Sequence, residues 1–122
     1  MKRFLRGALT AAFLTSTAVW AHSAGPAQHG GVVAAANELE YELVARSDLL
    51  QLYIRDHGKP VDVSKASAKV TLLSGGAKKD VELRPTADKL EATGTFDASP
   101  GTKAVAVINL SGKLLTARFT LK

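Results

Sequence analysis

The chain has 122 residues, of which 46% are hydrophobic and 6% aromatic, and its formal net charge is +5. This length allows one domain, and the absence of cysteine excludes disulfides, thiol redox chemistry and covalent haem attachment. The longest basic run is Lys78-Lys79, and no basic cluster is interleaved with aromatic residues, so the positive charge does not predict binding to nucleic acid.

Residues 1–21 have the three parts of a secretory signal peptide. Basic residues begin the segment, residues 7–19 are uncharged and mostly apolar, and Val19-Trp20-Ala21 offers small residues where a signal peptidase reads them. The apolar run is shorter than the roughly 20 residues of a membrane span. We therefore predict a helical signal peptide that is cleaved after Ala21. A cut after Ala24 and an uncleaved N-terminal anchor are the alternatives.

Removal of residues 1–21 changes the composition of the protein. Three of the 16 basic residues are lost and all 11 acidic residues remain, so the net charge falls to +2. The only Met and the only Trp are lost as well. Copper(I) sites built on thiolate or thioether ligands are thereby excluded, and the domain must be held together by its apolar core.

The segment that follows is polar and then becomes strand-like. Residues 22–30 are small, polar and rich in Gly, Pro and Ala, which predicts a flexible leader before a domain over residues 31–122. Residues 31–36 form an apolar run that suits an edge strand. In residues 39–46, Tyr41 and Leu43 alternate with two glutamates, which indicates a second strand.

The clearest strand is predicted over residues 49–55. Leu50, Leu52 and Ile54 share one face, which indicates a half-buried strand with a period of two. Tyr53 lies on the other face, where ordinary sheet packing is the main interpretation and a partner-facing surface is the alternative. A turn over residues 56–60 follows, because Gly58 tolerates a positive φ and Pro60 limits pairing.

The rest of the chain predicts further strands separated by turn signals. They cover residues 67–73, 80–84, 90–97, 104–110 and 114–121, with a loop over residues 85–89. The segment Ala104–Leu110 is apolar on both faces, as in a central strand. Together with the earlier elements, this gives about seven to eight short strands at the spacing of an all-β antiparallel sandwich.

The sequence predicts no enzyme. It contains no nucleophile elbow, no HExxH motif, no phosphate-binding glycine loop and no cysteine nucleophile. A general acid–base pair needs a cleft, which the pattern does not provide. Most of the carboxylates are expected on the solvent faces of strands: Glu40, Glu42, Glu82, Glu91 and Asp97.

The three histidines are the main candidate functional residues in the sequence, and they suggest binding of a divalent metal ion. After cleavage at Ala21, His22 would offer its amine and its imidazole to one ion, and His29 could complete a three-nitrogen set suited to Cu(II). Asp56 could add an oxygen ligand to His57 or orient its ring. We favour the pair His29 and His57 as ligands of Cu(II), Zn(II) or Ni(II), provided that the leader folds beside the turn.

Each histidine also has a simpler interpretation. His22 can be a leader residue without a function, and it is lost if the signal peptide is cut after Ala24. His29 can be a loop residue that caps the edge strand beside Gly30-Gly31. His57 lies in a turn, where most histidines are solvated.

Several short motifs resemble a known group of exported proteins. Gln28-His29-Gly30-Gly31, Tyr41-Glu42-Leu43-Val44, Asp56-His57-Gly58 and Ala117-Arg118-Phe119 are similar to small periplasmic proteins of Gram-negative bacteria. Those proteins are often encoded beside heavy-metal efflux systems of the resistance-nodulation-division type. A similar HGG opening precedes an Ig-like domain in some periplasmic adaptor subunits of such pumps.

The resemblance implies an Ig-like β-sandwich in the periplasm and a link to metal efflux. We therefore expect a non-enzymatic accessory protein in divalent heavy-metal handling, with a periplasmic efflux component as its partner. The alternative is a metal-independent envelope module that pairs an edge strand or its Tyr53 face with another protein.

Overall fold

The structure is a computed structural model that describes residues 25–122. The predicted signal peptide and its helix, residues 1–21, lie outside the described residues, as does His22. The described part contains nine strands and no helix, so the predicted all-β class is confirmed there. The strands are β1 (Val32–Ala36), β2 (Leu39–Ala45), β3 (Leu49–Asp56), β4 (Lys59–Pro60), β5 (Ser67–Ser74), β6 (Ala77–Thr86), β7 (Lys89–Thr93), β8 (Lys103–Leu110) and β9 (Lys113–Thr120).

The strands form one antiparallel sheet that nearly closes on itself. Its order is β1-β2-β3-β7-β6-β5-β8-β9, and β4 pairs with β3. Strand β6 joins the two halves, because its first part pairs with β5 and its last residues pair with β7. The end strands β1 and β9 lie side by side, and the Asn37 side-chain amide donates to the Thr116 carbonyl oxygen at 3.3 Å.

Alternating side chains fill the space inside this sheet. Leu50, Leu52 and Ile54 are at most 2% exposed, which confirms the inward face predicted for β3. In β5 the buried residues include Val70 and Leu72, which fixes a register that the sequence left open. Burial of each such side chain stabilises the fold by about 1.5–3 kcal/mol before entropic costs are subtracted. The core therefore lies on the concave side of the sheet.

Several predicted boundaries are wrong: β6 covers Ala77–Thr86 instead of residues 80–84, Lys59–Pro60 of the predicted turn pair with β3 as β4, and two others differ because of hydrogen bonding at the ends of strands. The loop predicted over residues 85–89 is a tight hairpin, in which Pro85 of β6 pairs with Leu90 of β7. Strand β7 ends at Thr93 instead of reaching residue 97. The next backbone amides donate to carbonyl oxygens in the turn between β2 and β3, which draws the chain away from the β6 ladder.

No helix within residues 25–122 has the length and apolarity needed to cross a bilayer. All regular structure of these residues lies in the strands given above. Whatever chemistry these residues perform is thus positioned by strand faces and by the turns that join them.

Candidate functional site

The segment of residues 25–31 lies across the outer side of β2 and β3, and Glu42 of β2 holds it there. One carboxylate oxygen, Oε2, accepts the backbone N–H of His29 at 2.7 Å and that of Gly31 at 3.0 Å. The other, Oε1, accepts the backbone N–H of Gln28 at 2.9 Å. The prediction that Glu42 faces solvent is wrong, since this residue is 0% exposed.

Arg55 of β3 lies beside this carboxylate and is also buried, at 3% exposed. Its Nη1 donates to Glu42 Oε1 at 3.2 Å. Its Nη2 donates to the Pro26 carbonyl oxygen at 3.4 Å and lies 3.5 Å from Glu40 Oε2. The register explains this arrangement, because Glu40 is paired directly with Arg55 across the two strands. Arg55 therefore balances the buried charge and binds the same segment.

The electrostatics of Glu42 result from two opposing effects. Burial alone would raise the pKa of its carboxyl group, because a low-dielectric environment disfavours the charged form. The backbone N–H groups of Gln28, Gly31 and His29 donate to the charged form and outweigh this effect, so the pKa lies below its ordinary value of 4.5. Glu42 is consequently a carboxylate at neutral pH.

Gly31 shows why the chain needs glycine where it enters β1. A Cβ atom at this position would lie 2.4 Å from the Leu43 carbonyl oxygen, which is closer than atoms approach one another in proteins. The segment can therefore reach Glu42 only with a residue that has no side chain. Part of the HGG motif thus serves close backbone packing.

His29 packs against an aromatic residue of β3. Its ring stacks on that of Tyr53, with the centroids 3.6 Å apart and the planes 8° from parallel. Lys89, on the neighbouring strand β7, places its Nζ 5.8 Å from the centroid of the Tyr53 ring. The outer face of Tyr53, which was considered as a partner-facing surface, is therefore in contact with the chain's own histidine.

His57 lies in a different environment, in the turn between β3 and β4. Its Nδ1 is 2.6 Å from Asp56 Oδ1, and its side chain is 82% exposed. The ring borders a cavity of about 220 Å³. The other residues of this cavity come from the neighbouring β1–β2 turn and its flanks: Ala35, Ala36, Asn37, Glu38, Leu39 and Glu40.

The structure thus gives each of the two described histidines its own neighbours. His29 stacks on Tyr53 within β3, whereas His57 lies in the turn that follows the end of β3 at Asp56. Between residues 25 and 122 there is no group of three or more His, Asp or Glu side chains that could hold a metal ion. Asp56 accompanies His57, whereas His22 is outside the described residues.

One of the two turns beside the cavity carries an unusual residue for its backbone shape. Four hairpins have positive φ at both central residues, as type I′ turns require. The second central residue is glycine in three of them: His57-Gly58, Gly75-Gly76 and Ser111-Gly112. In the β1–β2 turn it is Glu38, at φ 64°, which costs about 1 kcal/mol or more relative to glycine. The strained position faces the His57 cavity.

Sequence reasoning missed Glu42 and Arg55 as structural residues of the site. A usable signal was present, because acidic residues at two alternate positions of one strand are followed by a basic residue on the next. Such charges on paired strands attract each other directly. The pattern does not reveal that residues 25–31 cover Glu42 and Arg55. The hydrogen-bonding groups of this segment belong to the backbone, and every sequence has them.

No protein family, no curated protein and no solved structure matches the chain. The chemistry of the site must therefore be inferred from its own groups. These are a solvent-accessible imidazole with a carboxylate on Nδ1, further carboxylates across a small cavity, and a buried Glu42–Arg55 pair that holds a peptide segment.

Proposed function

We propose that the protein is a non-enzymatic periplasmic accessory protein in divalent heavy-metal handling, with His57 as its main ligand. The observation that carries this proposal is the 2.6 Å contact between Asp56 Oδ1 and His57 Nδ1. A carboxylate on one ring nitrogen orients the ring and leaves the other nitrogen to bind metal. Since the His57 side chain is 82% exposed, a metal ion can reach Nε2.

The surroundings of His57 support borderline divalent ions. Glu38 and Glu40 line the same cavity, but within residues 25–122 no three such side chains come together around one ion, so His57 with Asp56 and water is the set proposed. Imidazole with carboxylate and water suits Cu(II), Zn(II) or Ni(II), whereas no sulfur ligand is offered for Cu(I). One imidazole with few oxygens binds weakly and exchanges quickly. Such a site fits transfer of an ion better than its storage.

The remaining elements of the proposal come from the sequence. The signal-peptide pattern supports export, and cleavage after Ala21 would give a second ligand set from the amine and ring of His22 together with His29. The motif resemblance supports an Ig-like sandwich arrangement of the nearly closed sheet and a periplasmic efflux component as partner. The alternative remains a metal-independent interaction module of the cell envelope.

The test is a titration with Cu(II), Zn(II) and Ni(II), followed by calorimetry and by NMR of the histidine ring protons. His57→Asn is the decisive variant, because asparagine favours the positive φ of 50° at this position and removes only the imidazole. We expect it to weaken binding about tenfold or more, as loss of a ligand does. His29→Ala serves as the matched control for the second histidine.

The outcomes separate the possibilities cleanly. Binding no tighter than that of free imidazole, or binding unchanged in both variants, would overturn the metal proposal. Loss of binding in His29→Ala alone would move the site to the leader. Mass spectrometry of exported protein would show whether the first residue is His22, and therefore whether the second ligand set exists.

A further inference from the structure

The cations on the outer face of strands β6, β5, β8 and β9 are unevenly supplied with carboxylates. On β6, cations and carboxylates share this face in equal number: Lys78, Asp80, Glu82 and Arg84. Lys69 of β5 is paired across the strands with Glu82. On β8 and β9 the same face carries Lys103 and Arg118, both exposed, and neither strand contains an acidic residue. This side of the face therefore has positive charge that its own strands leave unbalanced.

The register places these two cations beside each other. Lys103 is paired with Thr120, and Arg118 lies two residues before Thr120 on the same face of β9. Such diagonal neighbours are about 7–8 Å apart, which is within reach of long side chains. Lys103 Nζ donates to Thr120 Oγ1 at 2.9 Å, so the ammonium group is held over β9. A guanidinium, an ammonium and a hydroxyl group therefore lie within one small area.

A cavity of about 340 Å³ adjoins this area. Its lining comes from the two paired strands: Lys103, Ala104, Val105, Arg118, Phe119 and Thr120. Arg118 and Thr120 also border a second cavity, of about 390 Å³, on the side of residues 25–33. Among residues 25–122, no acidic side chain lines either cavity, and strand β1 beside β9 is uncharged. A negatively charged ligand can thus approach Arg118 from two sides without meeting a side-chain carboxylate in the lining.

We propose that Lys103, Arg118 and Thr120 bind a phosphate group. The Arg118 guanidinium donates two parallel hydrogen bonds to phosphate oxygens, and Lys103 adds a further charged donor. The Thr120 oxygen accepts from Lys103, so its own O–H is left to donate to the ligand. These donors suit the several oxygens of a tetrahedral anion, whereas the guanidinium alone would satisfy both oxygens of a carboxylate. The phosphate belongs either to a soluble compound or to the headgroup of an anionic lipid.

The test is a pair of binding measurements at constant ionic strength and without metal, so that the result is independent of the metal proposal. Inorganic phosphate and pyrophosphate, followed by NMR of the backbone amides, probe for a soluble ligand. Vesicles of phosphatidylcholine alone and of its equimolar mixture with phosphatidylglycerol, followed by co-sedimentation, probe for a lipid headgroup. We expect saturable binding in one of the two measurements, and acetate should bind at least about tenfold more weakly than phosphate.

Matched variants separate the site from the general positive charge of the protein. Arg118→Gln and Lys103→Gln should each weaken binding about tenfold or more, because each removes a charged hydrogen-bond donor. Arg46→Gln in the β2–β3 turn and Lys113→Gln at the other end of β9 remove the same charges from exposed positions. These two controls should leave binding within about twofold of the parent chain. Thermal unfolding confirms that each variant is folded.

The outcomes identify the source of the phosphate or refute the site. Binding of phosphate or pyrophosphate that is lost in Arg118→Gln supports a soluble ligand. Binding only to vesicles with phosphatidylglycerol, lost in the same variant, supports a lipid headgroup. Absence of binding to every probe, acetate binding as tight as phosphate binding, or an equal loss in Arg46→Gln would overturn the proposal.

Discussion

Replacement of Glu42 by glutamine tests how the N-terminal segment is held. In the native chain both carboxylate oxygens accept hydrogen bonds, from the backbone N–H of Gln28, His29 and Gly31 and from Arg55 Nη1. Glutamine keeps one acceptor oxygen and replaces the other with an amide group that faces two donors. It also removes the nearer and more buried of the two carboxylates that balance Arg55, which is 3% exposed.

The expected loss of folding free energy is large for such a small change in shape. A buried charge left without its partner costs about 3–5 kcal/mol, and a hydrogen bond to a charged group contributes about 1.5–3 kcal/mol. Because glutamine retains one acceptor, we expect the lower part of this range, about 3 kcal/mol. For a domain of this size, that lowers Tm by roughly 12–24 °C.

Urea unfolding of the parent and of Glu42→Gln measures the difference directly. Glu82→Gln is the matched control, since Glu82 is an exposed residue of β6, and we expect it to change stability by less than about 0.5 kcal/mol. If Glu42→Gln costs no more than Glu82→Gln, the carboxylate does not hold the segment in solution and the interpretation of the site is refuted.

The acid dependence of stability provides a second measurement on the same variant. The pKa of Glu42 in the folded protein lies below its ordinary value of 4.5, so the folded state prefers the carboxylate. Its contribution is fully present above about pH 4.5 and is lost as the pH falls through the lower folded pKa. Stability of the parent should therefore fall more steeply below that pH than stability of Glu42→Gln.

Three further predictions concern other parts of the site. Gly31→Ala should destabilise the protein by about 1–3 kcal/mol in urea unfolding, because the new Cβ would lie 2.4 Å from the Leu43 carbonyl oxygen; unchanged stability would show that the segment does not pack so closely. Tyr53→Leu should shift the ring protons of His29 downfield in NMR, since the ring stacked 3.6 Å away is removed; unchanged shifts would rule out the stack in solution. Glu38→Gly should stabilise the fold by about 0.5–1 kcal/mol in urea, because the strain at φ 64° is relieved but glycine also raises the entropy of the unfolded chain; a loss of stability would mean that the Glu38 side chain makes favourable contacts.

Much of the fold could be predicted because side-chain alternation is a local property. The inward face of β3 follows from Leu50, Leu52 and Ile54, and their burial confirms it. The end of β7 could not be predicted, because it depends on hydrogen bonds with a turn that is about 45 residues earlier in the sequence. Long-range backbone pairing leaves little trace in the local composition of a strand.

The candidate site was harder to predict for a related reason. His29 and His57 could be predicted as candidate ligands from their side-chain chemistry. The residues that each ring contacts could not be predicted, because they depend on the fold. One ring stacks on Tyr53 and the other contacts Asp56. Glu42 has the polar alternation of a solvent-facing residue, and only the fold of the preceding segment over it explains its burial.

The composition of that segment explains why a charged pair holds it. Residues 25–31 contain three glycines, a proline and an alanine, so they offer few side chains for apolar packing. Their main means of binding are backbone N–H and C=O groups. A carboxylate is the side chain that can accept several N–H donors at once, which accounts for Glu42. A guanidinium can neutralise that charge and also donate to a carbonyl oxygen, as Arg55 does with Pro26. The sheet therefore binds a glycine-rich peptide through polar groups, and loss of either member of the pair should release the segment.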